Sequence, residues 1–216
     1  MRIDIISDTI CPWCFIGKRR LESALAETPD LAPEILWHPF QLNPDMPPDG
    51  MDRAHYLEAK FGGGTRAREI YRVVTRAAEN AGLDLNIDAI RRTPNTLASH
   101  RLIHRAKAEG RQTAVVEALF KAYFLDGQDI GQVPVLAEIG AGAGLDRDTI
   151  ATFLASDEDQ DLIRAEDVRA RKLGINGVPC FIIDGRYAIS GAQEPEVFRQ
   201  VFAVVAGGAD ETELAG

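Results

Sequence analysis

The first forty residues show two different spacings of apolar and polar positions. Arg2 to Ser7 is short and has isoleucine at three of its six positions, which is typical of a partly buried strand. Pro12 to Ala26 repeats its apolar residues at helical spacing, and proline fits the first turn of a helix, where its missing N–H costs nothing. Glu34 to Phe40 is again apolar and strand-like. The pattern therefore predicts a strand, a helix and a second strand, with the two strands parallel.

The middle of the chain changes to a helical pattern. From about Asp52 to Lys172, apolar residues recur at helical spacing between glycine breaks, and no clear strand pattern occurs. The segment 41–50 contains three prolines and ends in glycine, so we predict a linker there. The helices predicted after it are 54–61, 66–81, 96–109, 113–126, 133–143, 147–155 and 157–173.

Strands return near the end of the chain. Pro179 to Ile183 is an apolar run, and Asp184-Gly185 is a strong hairpin signal after which Tyr187 to Ser190 can pair back. Glu194 to Val205 has the pattern of a closing helix. We expect the tail from Ala206 to Gly216 to be frayed.

The order of these elements predicts an α/β fold, βαβ and ββα, interrupted by a large all-helical insertion. The 216 residues suffice for one good-sized domain that carries such an insertion. We predict one domain formed by residues 1–45 and 174–216, and a helical insertion domain formed by residues 46–173.

Composition and charge narrow the function classes. The chain is 45% hydrophobic and 26% charged, which is ordinary for a soluble globular protein. Its net charge of -9 repels phosphate backbones, so we predict no nucleic-acid partner. No apolar run approaches the ~18 residues of a membrane span, and none near the start resembles a secretory signal. If this sequence is the full precursor, we expect a cytoplasmic protein that does not associate with membranes.

Two cysteines lie three positions apart where the first strand gives way to the first helix. The N–H groups and positive dipole end of a helix start favour the thiolate, which is the nucleophile. We predict that Cys11, at the helix start, is exposed and attacks, and that Cys14, one turn further in, is deeper and resolves the mixed disulfide. The alternatives are a partial zinc site or two unrelated buried thiols.

We predict no metal site. Three cysteines cannot supply a site of four thiolates. His100 and His104 have the spacing of metal ligands on one helix face, but no nearby Cys, Asp or Glu in the sequence completes a set. His38, in the second strand, is interpreted as structural.

Val178-Pro179 stands immediately before the apolar run that we predict as a strand. If this peptide bond is cis, the Val178 backbone faces outward and can pair with an extended substrate beside the cysteines. X-Pro bonds in folded proteins are cis in only ~5–6% of cases, so the residues alone favour trans.

Two segments together resemble a known family. They are SDTICPWC at residues 7–14 and GINGVP at residues 174–179, and further matches lie at 95–96, 100–102 and 190–193. The chain resembles the DsbA family of the thioredoxin superfamily, and within it the cytoplasmic FrnE-like proteins. The resemblance covers almost the whole chain. It implies a thioredoxin fold with a helical insertion, a cis Pro179, and Cys11 and Cys14 as the redox pair.

The sequence departs from the family pattern at two positions. The strongly oxidising periplasmic members have Pro-His between the cysteines, whereas this chain has Pro12-Trp13. Trp13 cannot stabilise a thiolate by charge, so we expect a potential in the middle of the range from about -270 to about -120 mV. Cys180 stands where relatives often carry an aromatic residue. It is either a buried strand residue or a third thiol within reach of the pair.

The function predicted is disulfide exchange on a protein or small thiol, with Pro12, Trp13, Val178 and Pro179 as substrate contacts beside the cysteines. For Trp13 a packing role is the alternative. No bound cofactor is expected, although glutathione can serve as a thiol partner, and a homodimer is compatible with the sequence. A second hypothesis is a glutathione-dependent isomerase of the 2-hydroxychromene-2-carboxylate type, whose members typically place serine at the position of Cys11. A third is a chaperone-like binding protein.

Overall fold

The computed structural model describes residues 1–207 of the chain, and its first and last parts form one sheet flanked by two helices. The sheet strands are β1 (Arg2–Ser7), β2 (Glu34–Pro39), β5 (Cys180–Ile183) and β6 (Tyr187–Ser190), in the order β2-β1-β5-β6. β1 pairs parallel with β2 and antiparallel with β5, which pairs antiparallel with β6. The helices are α1 (Pro12–Ala26) and α9 (Pro195–Gly207). The predicted thioredoxin-like α/β fold is confirmed.

The hairpin between β5 and β6 turns where the sequence predicted it. Asp184 and Gly185 both have positive φ, 49° and 68°, and the N–H of Arg186 donates to the carbonyl of Ile183 at 3.1 Å. Glycine adopts positive φ without penalty, and aspartate tolerates it better than most residues. Of the tail predicted to be frayed, Ala206 and Gly207 instead complete α9, and the remainder lies outside the described residues.

The insertion is mostly helical, as predicted, although one element was missed. Met51–Asp52 (β3) and Arg92–Thr93 (β4) pair as a short antiparallel ribbon, so the all-helical description was wrong. Strands of two residues are too short to show an alternating pattern. The helices are α2 (Arg53–Phe61), α3 (Gly64–Asn80), α4 (Leu97–Arg105), α5 (Gln112–Phe124), α6 (Val133–Gly142), α7 (Arg147–Ala155) and α8 (Gln160–Lys172), with 3₁₀ turns at Ile87–Ala89 and Ala106–Glu109.

The insertion shares its hydrophobic core with the sheet. Helices α4, α5 and α8 pack along β2, and α5 stacks Phe120 on Phe15 of α1 with ring centroids 5.1 Å apart. The side chain of Gln112 accepts from the backbone N–H of Trp37 and donates to its carbonyl, both at 3.3 Å. At Trp37 the edge of β2 is therefore hydrogen-bonded by the insertion rather than by solvent. The division into domains at residues 45 and 174 stays a prediction.

Within residues 1–207, no helix is both long and apolar enough to cross a membrane.

Candidate active site

The two cysteines lie at the first turn of α1, directly after β1. Cys11 is the residue before the helix, with extended backbone, and its N–H donates to the carbonyl of Asp8 at 3.1 Å. The N–H of Cys14 donates back to the carbonyl of Cys11 at 3.0 Å, and Pro12 occupies the first helical position. The Cys11 side chain makes no capping hydrogen bond to this helix start. Cys11 therefore lies at the positive end of the helix.

Cys11 is buried, which corrects the expectation that it is exposed. Only 4% of the residue is accessible, and its thiol donates to the carbonyl oxygen of Val178 with Sγ···O 3.6 Å. The peptide bond between Val178 and Pro179 is cis, as the resemblance implied. The carbonyl that was expected to face a substrate therefore covers the thiol in this structure.

A glycine lets α1 approach the cis-proline loop closely. A Cβ atom at Gly17 would lie 3.0 Å from Cγ of Pro179 and 3.0 Å from the ring of Phe181. Real Cβ atoms rarely come so close, so a larger residue would require Pro179, Phe181 or the helix to shift. The close packing at Gly17 therefore helps to hold α1 against the cis-proline loop.

Cys14 is deeper than Cys11, as predicted, with 1% of the residue accessible. Burial raises the pKa of the Cys14 thiol well above its usual range, and the neighbouring Cys11 sulfur adds to the rise. The Ser7 hydroxyl and the backbone N–H of Asp8 oppose it by hydrogen bonding to the Cys14 sulfur. Cys14 therefore holds its proton more tightly than an ordinary thiol.

Sequence reasoning missed the buried carboxylate of Asp8. Its side chain is fully buried, accepts from the backbone N–H of Leu42 at 2.7 Å, and contacts Nε2 of His100 at 3.3 Å. His100 comes from α4, and 3% of it is accessible. The available signal was the position of a charged residue directly between a buried strand and Cys11. A contact that joins residues 92 positions apart cannot be read from spacing.

Pro12 and Trp13, the residues between the cysteines, are partly buried and partly accessible to solvent. Pro12 and Trp13 are both half-buried, and the Trp13 ring packs against the hydrophobic core. Each residue also keeps an accessible part. The packing interpretation of Trp13 is thus supported by contacts, while its role as a substrate contact stays a prediction.

Cys180 lies in a different cluster from the redox pair. It is buried with Ile6, Phe40 and Ala170, whereas Cys11 and Cys14 belong to the main core. Burial raises the pKa of the Cys180 thiol. These observations favour the interpretation of Cys180 as a buried strand residue.

His38, which was interpreted as structural, has a hydrogen-bond partner on the neighbouring strand. Nε2 of His38 lies 2.7 Å from Oδ1 of Asp4 on the neighbouring strand. Among residues 1–207, no cluster of three or more His, Cys, Asp or Glu side chains is arranged to hold a metal ion.

Comparison with known proteins gives consistent relatives. The family profile described as DSBA-like thioredoxin domain matches residues 2–203. The chain is similar to a probable DsbA oxidoreductase from Streptomyces coelicolor, with 34% identity, a TM-score of 0.86, and coverage of 99% of this chain and 93% of the other. It is also 28% identical over 204 residues to the uncharacterised protein YwbO of Bacillus subtilis, covering 94% of this chain and 96% of that protein.

Two more distant structures share the fold. A 2-hydroxychromene-2-carboxylate isomerase matches with 18% identity, a TM-score of 0.73, and coverage of 97% of this chain and 100% of the other. The cytosolic disulfide reductase DsbM from Pseudomonas aeruginosa, solved with glutathione, matches with 19% identity, a TM-score of 0.68, and coverage of 96% and 100%. At this identity the likeness concerns the fold alone.

Proposed function

This chain belongs to the DSBA-like thioredoxin domain family, and from that premise we propose that it is a thiol-disulfide oxidoreductase whose redox pair is Cys11 and Cys14. Its substrates are thiols or disulfides of proteins or small molecules. Within the family we assign it to the FrnE-like, cytoplasmic members, on the motifs at residues 7–14 and 174–179.

One observation carries the proposal. Cys11 lies at the uncapped start of α1 and 3.6 Å from the backbone of the cis-proline loop, while Cys14 is buried one turn further along the same helix. A helix start stabilises the thiolate that attacks, and the second thiol follows within reach of the first. Two unrelated buried thiols have no reason to share this placement.

The exchange proceeds in two steps. The Cys11 thiolate attacks a substrate disulfide R–S–S–R′, forming Cys11–S–S–R and releasing R′–S⁻. The Cys14 thiolate then attacks the Cys11 sulfur, forming the Cys11–Cys14 disulfide and releasing R–S⁻. The substrate gains two electrons and the cysteine pair loses them, and the reverse sequence oxidises a dithiol substrate.

Glutathione enters this proposal as a thiol substrate that can reduce the Cys11–Cys14 disulfide. DsbM, a fold relative, was solved with glutathione. The isomerase alternative shares the fold but not the chemistry of the site. Its members typically carry serine at the position of Cys11, so they lack the cysteine pair that exchange requires. A cysteine pair at the helix start favours exchange over isomerisation.

The test is a set of three single substitutions. We expect Cys11→Ser to reduce dithiothreitol-linked insulin reduction to background, because the attacking sulfur is gone. Cys14→Ser should also lose turnover but accumulate mixed disulfides, seen as shifted bands on non-reducing gels. Cys180→Ala is the matched control, since it removes a buried thiol outside the pair, and we expect its activity to stay within about twofold of the parent.

Two results would reject the proposal. Full activity in Cys11→Ser would point to isomerisation or binding instead of exchange. Mixed disulfides that accumulate only in Cys11→Ser would reverse the roles of the two cysteines.

A further inference from the structure

Helix α8 has one side in the fold and the other side in solvent. Its buried residues, Ile163, Asp167 and Ala170, lie four and three positions apart, so they form one stripe, and the helix packs against β2 and α4. The residues that point away from this stripe are all exposed, and we call them the outer face of α8: Asp161, Leu162, Ala165, Val168, Arg169 and Lys172. None of them takes part in the exchange steps described above.

The outer face carries exposed apolar side chains. Five large apolar side chains are exposed among residues 1–207, and three of them, Leu162, Val168 and Leu173, lie on α8 or directly after it. Around Ala165 and Val168 the surface forms a shallow depression whose lining residues all belong to α8. Exposed apolar side chains gathered on one helix indicate a surface that another protein covers.

Opposite charges lie at the two ends of the outer face. Asp161 is in the first turn of α8 and Glu158 stands just before the helix, whereas Arg169 and Lys172 are in its last turn. Within residues 1–207, the side chains of Glu158, Arg169 and Lys172 form no ion pair. Oδ1 of Asp161 lies 3.1 Å from Nη1 of Arg164 on the same helix, but both side chains are more than half exposed, and such pairs contribute little. The face therefore has an acidic end, an apolar middle and a basic end.

This pattern is complementary to itself when two copies of α8 run antiparallel. In a two-fold symmetric pair with Ala165 on the axis, residues equally far from Ala165 on either side lie opposite each other. Asp161, four positions before Ala165, then faces Arg169, four positions after it. Leu162 faces Val168 in the same way, and the small Ala165 side chain allows the two helices to approach closely where they cross.

We propose that the outer face of α8 is a self-association surface, on which a second copy of this chain binds to form an antiparallel, two-fold symmetric homodimer. The dimer gains an Asp161–Arg169 pair on each side of the axis and covers the Leu162 and Val168 side chains of both copies. A partner of a single charge would match only one end of the face, whereas a second copy matches both ends and the apolar middle. The inference does not depend on the proposed function, because it concerns no reacting group.

The interface is small, because each copy contributes mainly one helix. Stable complexes bury about 800 Å² per partner, and one face of a 13-residue helix offers less than that. We therefore expect a weak dimer, with a dissociation constant of about 10–100 µM. We also expect association to weaken in high salt, which screens the exposed charge pairs.

Sedimentation of the full chain in an analytical ultracentrifuge measures this association. Concentrations span about tenfold below to about tenfold above the expected dissociation constant, with dithiothreitol present to exclude disulfides between chains. Val168→Glu puts a carboxylate into the apolar middle and should weaken the dimer at least about tenfold. Val73→Glu, at an exposed apolar position on α3, is the matched control and should leave the dissociation constant unchanged.

Charge reversal tests the antiparallel register. Asp161→Arg and Arg169→Asp each place like charges opposite each other, and each should weaken the dimer about tenfold. The variant with both substitutions restores opposite charges across the axis, so its dissociation constant should return to within about threefold of the parent. Within one chain these two residues are about two helical turns apart and do not pair, so the rescue reports a contact between copies. Circular dichroism and thermal unfolding check that each exposed substitution leaves the fold intact.

Three results overturn the inference. They are a chain that stays monomeric at the highest concentration, a dimer that Val168→Glu does not weaken, and charge reversals that have no effect or are not rescued in the double variant. Dithiothreitol-linked insulin reduction by the same samples is a separate readout. Its absence would reject the proposed function and leave the dimer standing.

Discussion

Two Asp–His pairs lie at opposite ends of β1 and share their chemistry but not their surroundings. Asp4 and His38 pair at 2.7 Å near the start of the strand, with side chains 14% and 30% exposed. Asp8 and His100 pair at 3.3 Å just after its end, with side chains 0% and 3% exposed. The first pair joins neighbouring strands, and the second joins the active-site loop to the helical insertion.

The difference shows where a hydrogen-bonded Asp–His pair matters most for stability. At an accessible site water competes for both partners, so a pair contributes little. In the interior, removal of one partner leaves the other buried without compensation, which is strongly destabilising. The Asp8–His100 contact therefore links the active-site loop to the helical insertion, and breaking it lowers the free energy of unfolding substantially. The pair lies directly beside the cysteines.

Removal of the carboxylate from each pair gives the largest expected difference in the free energy of unfolding. Asp8→Ala leaves the Leu42 N–H and the His100 ring buried without an acceptor, and we expect a loss of about 3 kcal/mol in the free energy of unfolding. Asp4→Ala should cost less than about 1 kcal/mol. Urea unfolding of both variants measures the two losses. Equal losses would show that burial does not distinguish the pairs.

Double-mutant cycles sharpen the comparison by isolating each pairwise interaction. With Asp→Asn and His→Gln at each pair, we expect a coupling energy of about 1–3 kcal/mol for Asp8 with His100 and about 0.5 kcal/mol for Asp4 with His38. The cycles use urea unfolding at low salt and in 1 M NaCl. Only the Asp4–His38 coupling should shrink in high salt, because screening acts on exposed charges. A salt-sensitive Asp8–His100 coupling would contradict the buried description.

The smallest expected effect is the acid dependence of the partly exposed pair, Asp4 and His38. Burial tends to raise the pKa of Asp4, but hydrogen bonds from Arg2 and His38 outweigh it, and the pKa is lowered overall. A lowered pKa contributes stability above the unfolded value of about 3.9 and loses it as pH falls through the folded value. Asp4→Asn should therefore flatten the stability profile below about pH 4 and change it little at pH 7. Urea midpoints from pH 2.5 to 7 measure this, and an unaltered acid limb would contradict it.

The local elements of the fold followed from the sequence with few errors. α1 begins at Pro12 and ends at Ala26 as predicted, because proline and apolar spacing act within one helix. The β3–β4 ribbon was missed since its pairing joins Met51 to Thr93, far apart in sequence, and its strands are too short for a pattern. The burial of Cys11 was also missed, because the carbonyl that covers it comes from residue 178.

By itself, the sequence determined the strand–helix junction that places Cys11 and Cys14 at a helix start, because strand, turn and helix signals act over a few residues. Only the tertiary structure decided what surrounds those sulfurs: the Val178 carbonyl on Cys11, the burial of Cys14, and His100 on Asp8. The physical reason is that protonation and access depend on burial and on partners within hydrogen-bond distance. Those partners are brought together by packing between segments that spacing along the chain does not relate.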